Sequence, residues 1–212
     1  MKILVIHYDK LLERKIHILE EFKNHNITDF EFVSNYGKDT LTNEQKMHFI
    51  NLRDSEISLL LNHFECYRRI VEKYDYALIF EDDVILADNF KNTIENYVSQ
   101  LPDDWDMLFI GNGCNLHIPQ ELINSKSNIY RKETKDSSSR CSDSYLISKN
   151  CCKKYLEYIS SPNYIISVAI DHLVNIINRD NNFNVYWAEP TIVVQGTQIK
   201  RFQSSIQSSN NV

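Results

Sequence analysis

Short apolar runs alternate with amphipathic stretches through the first half of the chain. Ile3 to Ile6 is a compact apolar run and predicts a buried strand. Leu11 to Phe22 places Leu11, Leu12, Ile16, Leu19 and Phe22 at helical spacing. Phe30 to Val33 predicts a second strand, closed by the turn-rich Ser34, Asn35, Tyr36 and Gly37. Ser55 to Tyr74 reads as a long helix with Ile57, Leu60, Leu61, Phe64, Tyr67, Ile70 and Val71 as its apolar stripe. Tyr76 to Phe80 is a third strand that runs directly into Glu81, Asp82 and Asp83. Asp88 or Asn89 can cap a helix reaching Val98, and Met107 to Ile110 forms a further strand stopped by Gly111.

The second half is less regular. Residues 112–128 read as an irregular loop and 136–144 as a polar, Ser-rich one, before Tyr145 to Ile147 resume a strand. Helices are expected over Cys151–Ile159 and Val168–Asn178, with short strands at Val185–Trp187 and Thr191–Val194. The tail from Gln203 to Val212 has little to bury and should fray. Alternation of strand and helix predicts an α/β fold with a mainly parallel central sheet flanked by helices. Ligands of such sheets collect at the carboxyl ends of the strands. Chemistry is therefore sought at His7 to Asp9, Ser34 to Gly37, Glu81 to Asp83, and Gly111 to Asn112.

Composition narrows the choice of class. A chain of 212 residues with 42% hydrophobic and 25% charged positions suits one domain, expected over residues 1–202, with 203–212 as a disordered tail. The net charge of −6 argues against a nucleic-acid partner, which would need a basic face. No apolar stretch approaches the roughly 20 residues needed to cross a bilayer. The first apolar run is too short for a signal-peptide core, so a cytoplasmic location is expected. The five cysteines show no paired CxxC knuckle and read as reduced, mostly structural thiols.

Three consecutive carboxylates at a strand end repel one another, and a hard divalent cation offers a reason to keep them together. Alternation along an extended segment lets Glu81 and Asp83 face one ligand while Asp82 points elsewhere. The plainer reading is a solvated acidic turn. His63 lies on the long helix, where a lone His is more often packed than catalytic. Asp171 and His172 interrupt an apolar segment, so Asp171 must face solvent, cap the helix or line a site. Asp143, between Ser142 and Ser144, reads as a turn residue. No GxGxxG, GxxxxGK[ST], GxSxG or HExxH pattern is present, which removes support for dinucleotide, P-loop, esterase and zincin chemistry.

Taken in order, several segments resemble the family 25 glycosyltransferases, the group containing lipooligosaccharide sugar transferases and collagen galactosyltransferases. The acidic block Tyr76-Ala77-Leu78-Ile79-Phe80-Glu81-Asp82-Asp83-Val84 carries most of the resemblance. Glu56-Ile57 with Asn62-His63, the block from Leu101 to Leu108 followed by Gly111, Ser144 to Lys149, Ile170-Asp171 and Val194-Gln195 follow in the same order. Asn62 stands where the family usually has Ser, and only Arg14 remains of its Arg-rich pattern after the first strand.

The resemblance implies a GT-A fold with a Rossmann-like nucleotide-binding half, a nucleotide-sugar donor, usually UDP-linked, a divalent metal, and inversion at the anomeric carbon. Mn2+ is the expected ion, with Mg2+ as the alternative. On this reading Asp83 ligates the metal, with His172 as a further candidate. Glu81, Asp82, His7, Ser34, Tyr36 and Gln195 bind the donor, and Asp171 is the general base. The transferred sugar is expected to be galactose or glucose, and the acceptor a hydroxyl of a glycan, lipid-linked glycan or protein. Two other readings remain: a catalytically degenerate nucleotide-sugar-binding protein on the same fold, and a metal-dependent phosphohydrolase. The loop from Asn112 to Ser139 is a candidate lid over the donor.

Overall fold

Consecutive apolar residues in the central strands, alternating in the side they face, build a sheet buried on both faces. The computed structural model describes residues 1–133, 135, 138–161 and 163–204. The strands of the main sheet are β1 (Lys2–Ile6), β2 (Phe30–Val33), β3 (Tyr76–Glu81), β5 (Met107–Phe109), β6 (Ile129–Lys132), β7 (Ser144–Ser148) and β8 (Val185–Ala188), in the order β2-β1-β3-β7-β5-β8-β6. Ala77, Ile79, Met107, Phe109, Tyr145 and Ile147 face one side, while Leu78, Phe80, Leu108 and Leu146 face the other. The first side is covered by α3 (Asp54–Lys73), α5 (Lys149–Tyr158) and α6 (Ile170–Asp180). The second is covered by α1 (Leu12–Asn24) and α4 (Phe90–Ser99). A short α2 (Asn43–Lys46) precedes α3, and β4 (Val84–Leu86) pairs with β9 (Val193–Gln195) as a separate two-stranded ribbon.

The sheet is mixed. Strand β1 runs parallel to β2 and β3, and β5 parallel to β8, but β7 is antiparallel to both β3 and β5. That inversion brings the amino end of β7 to the same edge as the carboxyl ends of β1, β2 and β3. Strand β6, inside the stretch expected to be loop and lid, pairs antiparallel with β8 along the sheet edge. The helix expected over Cys151–Ile159 is found as α5, beginning two residues earlier at Lys149, with Ser148 as its cap, Oγ accepting from Cys151 N at 3.2 Å. Residues 205–212, most of the expected tail, lie outside the described residues.

Helix α1 departs from its apolar stripe. Leu12, Ile16 and Leu19 are 66%, 59% and 41% exposed, while Arg14, His17, Ile18 and Phe22 face inward. Polar anchoring decides the rotation. His17 Nε2 bonds Val84 O at 2.8 Å, and Arg14 reaches the acidic strand end.

Candidate functional site

Parallel pairing sets the first half of the site. Ile6 is in register with both Val33 and Glu81, so the residues after β1, β2 and β3 emerge together at one edge. His7 and Asp82 each follow a register partner, and His7 Nδ1 donates to Asp82 Oδ2 at 2.7 Å. Arg14 Nη1 donates to the other Asp82 oxygen at 3.0 Å and lies 3.8 Å from Asp83 Oδ2. Its second nitrogen donates to Thr197 Oγ1 at 3.2 Å and to the carbonyl of Gln203 at 2.7 Å. Each of these charged groups is at least nine-tenths buried, so the ion pairs are screened little by solvent.

Asp83 is fully buried beside β9's continuation. Thr197 donates to its Oδ2 through the backbone N, at 3.1 Å, and through the hydroxyl. Gly196 N bonds the Asp83 carbonyl at 2.8 Å. Asp83 Oδ1 has no partner among the described residues. Burial raises the Asp83 carboxyl above the usual range, against the lowering by Arg14 and Thr197.

The antiparallel strand supplies the other half. Phe80 is opposite Ser144, so Glu81 and Asp143 are ladder neighbours, and Glu81 N donates to the Asp143 carbonyl at 2.8 Å. Asp143 is buried, accepts from Ser144 Oγ at 2.8 Å, and leaves its Oδ1 without a partner. Burial pushes its carboxyl up to about 7, the Ser144 bond opposes the rise, and the charges of Asp83 and Asp171 add to it. Glu81 is raised well above the ordinary range, first by burial and then by Asp83, Asp143, Asp171 and Asp82. Asp171, in the first turn of α6, accepts a hydrogen bond from Ser142 Oγ. Glu81 thus lies within the electrostatic range of four other carboxylates, and two buried oxygens, Asp83 Oδ1 and Asp143 Oδ1, have no partner among the described residues.

The sequence-predicted residues separate into groups. His7, Glu81 and Asp82 line one cleft with Tyr8, Arg14, Lys38, Ser58 and Asn62. Tyr36 is held at its edge, its N–H donating to Asn62 Oδ1 at 3.2 Å and its carbonyl accepting from Asn62 Nδ2 at 3.0 Å. Ser34 follows β2 at the same level and is half-buried, and Gln195 ends β9 opposite Val84. His172 is exposed on α6. His63 lies in the core, its Nδ1 2.8 Å from the Tyr145 hydroxyl, with burial lowering its pKa to about 3. Among the described residues no three His, Cys, Asp or Glu side chains already converge as a metal cage.

Sequence reasoning did not place Asp143, Ser142 or Thr197 in the site. Asp143 precedes an antiparallel strand, so the carboxyl-end rule for parallel sheets passes over it. The available signal was its position two residues before the apolar run Tyr145 to Ile147. The buried, ion-paired Arg14 and Asp82 exclude the freely solvated acidic turn.

The profile of the family described as "Glycosyltransferase family 25 (LPS biosynthesis protein)" matches residues 1–174. A Haemophilus influenzae protein named "Putative glycosyltransferase" is 28% identical over 213 residues, covering 94% of this chain and 73% of that protein. The lipooligosaccharide biosynthesis protein lex-1 of the same organism is 28% identical over 168 residues, covering 74% of this chain and 54% of its own length. Among solved structures, a Drosophila β1,4-galactosyltransferase 7 mutant in complex with manganese, UDP-Gal and xylobiose superposes with a TM-score of 0.50 at 12% identity, covering 98% of this chain and 76% of that one. The fold is GT-A.

Proposed function

The chain belongs to glycosyltransferase family 25, and from that premise we propose that it is an inverting, metal-dependent hexosyltransferase. It moves galactose or glucose from a UDP-linked donor to a hydroxyl of a glycan, lipid-linked glycan or protein. The observation that carries this reading is the pair of buried carboxylate oxygens, Asp83 Oδ1 and Asp143 Oδ1, left free beside Glu81 where strand ends converge. Buried carboxylate oxygens without partners are costly, so a cation at this edge would relieve both groups together. Mg2+ and Mn2+ commonly take one or two protein carboxylates and complete their shell with water and substrate phosphates, so a preformed cage is not required.

In this reading Asp83, with Asp143 as its added partner, would hold the ion, which when bound would supply charge neutralisation for a departing diphosphate. His7, Ser34, Tyr36, Asp82 and Gln195 position the donor along the strand ends, and Glu81 binds its sugar hydroxyls. Asp171, oriented by Ser142, takes the proton from the acceptor hydroxyl. Support for Asp171 is the hydrogen bond it accepts from Ser142 and its electrostatic reach to Glu81 and Asp143.

A donor screen with Mn2+ and no added acceptor tests the class. Release of free nucleoside diphosphate from a UDP-hexose, absent in chelator, is the expected result. Release of inorganic phosphate from simple phosphoesters instead would assign a phosphohydrolase. With an acceptor in hand, proton NMR of the product from an α-linked donor should show a β-linkage.

A further inference from the structure

Two thiols meet beside the carboxylate cluster. Cys114 Sγ and Cys141 Sγ are 3.5 Å apart, and both cysteines are free. Both have left-handed backbones, with φ of 57° and 65°. The turns that carry them are packed together independently of the thiols: a Cβ on Gly113 would overlap the Arg140 carbonyl. Arg140 is itself fully enclosed, donating to Ala188 O at 2.7 Å and to Glu189, with its guanidinium 4.5 Å from the Trp187 ring centroid. Neither backbone segment therefore needs a large rearrangement to keep the sulfurs facing each other. Cys114 is exposed to reagents, whereas Cys66, Cys151 and Cys152 are buried. Cys141 directly precedes Ser142, which holds Asp171, and lies two residues before Asp143.

We propose that Cys114 and Cys141 form a dithiol site that closes to a disulfide by exchange with a small-molecule disulfide, and that closure slows the reaction at the neighbouring carboxylates. The first step is attack of the exposed Cys114 thiolate on oxidised glutathione, forming a mixed disulfide and expelling one glutathione thiolate. Cys141 then gives up its proton to solvent and attacks the Cys114 sulfur, expelling the second glutathione. The protein loses two protons and two electrons, and one glutathione disulfide becomes two thiols. Cys141 is less exposed than Cys114 and its sulfur faces the Cys114 sulfur at 3.5 Å, which assigns Cys141 to the second, intramolecular step. Bonding draws the sulfurs from 3.5 Å to about 2 Å, pulling on the peptide that carries Ser142 and Asp143.

The effect on rate rests on the proposed transferase reading, while the cross-link is judged by chemistry alone. Reduced full-length protein is incubated with oxidised glutathione, alkylated under native conditions and mapped without reduction. The expected product is a Cys114–Cys141 cross-linked peptide, with Cys66, Cys151 and Cys152 left as thiols. Nucleotide-sugar turnover should fall about tenfold or more, as displacement of catalytic groups by an ångström would cause, and recover with dithiothreitol. Cys114→Ser should keep its rate under the same treatment. Separate glutathione adducts on Cys114 and Cys141, or unmodified thiols, would overturn the site. A cross-link formed with unchanged turnover would overturn its control of the reaction. Absence of turnover from the reduced protein with every donor would refute the transferase reading, and the peptide map would still decide the dithiol.

Discussion

Replacing Asp143 with Asn should stabilise the metal-free protein at alkaline pH and destabilise it in acid. The native carboxyl rises from an ordinary value of 3.8 to about 7 because it is buried and faces Asp83 and Asp171. The folded state therefore keeps a proton that the unfolded chain sheds near pH 4. The contribution of Asp143 to stability falls as pH climbs from about 4 to about 7 and is flat on either side, at about 1.4 kcal/mol per tenfold change in proton activity. The total withheld above pH 7 is about 4 kcal/mol. Asparagine removes that penalty and can still accept from Ser144 Oγ, but its amide brings a donor to the unpartnered Oδ1 position, costing about 1–2 kcal/mol. The net expectation is a gain of about 2–3 kcal/mol at pH 8 and a loss of about 1–2 kcal/mol near pH 4. Urea unfolding in chelator at several pH values measures both. A variant no more stable than the wild type at pH 8, or a difference independent of pH, would refute the reasoning.

Three further substitutions probe the same edge. Asp171→Asn keeps an acceptor for Ser142 and should leave the unfolding midpoint near the wild-type value while lowering turnover by about 100-fold or more; wild-type turnover would remove Asp171 as the base. Thr197→Val deletes one of the two donors to Asp83 Oδ2 and a partner of Arg14, and should cost about 1.5–3 kcal/mol in urea unfolding, with Thr197→Ser close to wild type. Equal midpoints for the two variants would show that the hydroxyl contributes nothing. Gly111→Ala places a Cβ 2.9 Å from Asp143 Oδ2 and against Ser144 Oγ, and should cost about 1–3 kcal/mol by displacing that corner. Unchanged stability would mean that the corner yields freely.

The alternating runs made β1, β2, β3, β5 and α3 legible because their periodicity records burial directly. The acidic end of β3 was legible for a related reason, since a compact apolar strand cannot run into three acids without a change of environment. Pattern failed where polar contacts override hydrophobic spacing. On α1, Leu12, Ile16 and Leu19 suggested an inward stripe, yet the ion pairs of Arg14 and the His17 bond to Val84 turn the opposite face in. It also failed where meaning depends on strand direction. Asp143 belongs to the site only because β7 runs antiparallel, and nothing local in Ser142-Asp143-Ser144 announces that direction. Thr197 joins through the pairing of β4 with β9, a contact between residues more than 100 positions apart.

The central claim is that the acids at the end of β3 grip a nucleotide-sugar diphosphate through a divalent cation. Calorimetric titration of a UDP-hexose into wild-type and Asp83→Asn protein, with Mn2+ and then with chelator, tests it most directly. The account predicts binding by the wild type with Mn2+ and its loss both in chelator and in the variant, whose fold is verified by circular dichroism. Binding that survives in chelator and in Asp83→Asn at wild-type affinity would contradict it.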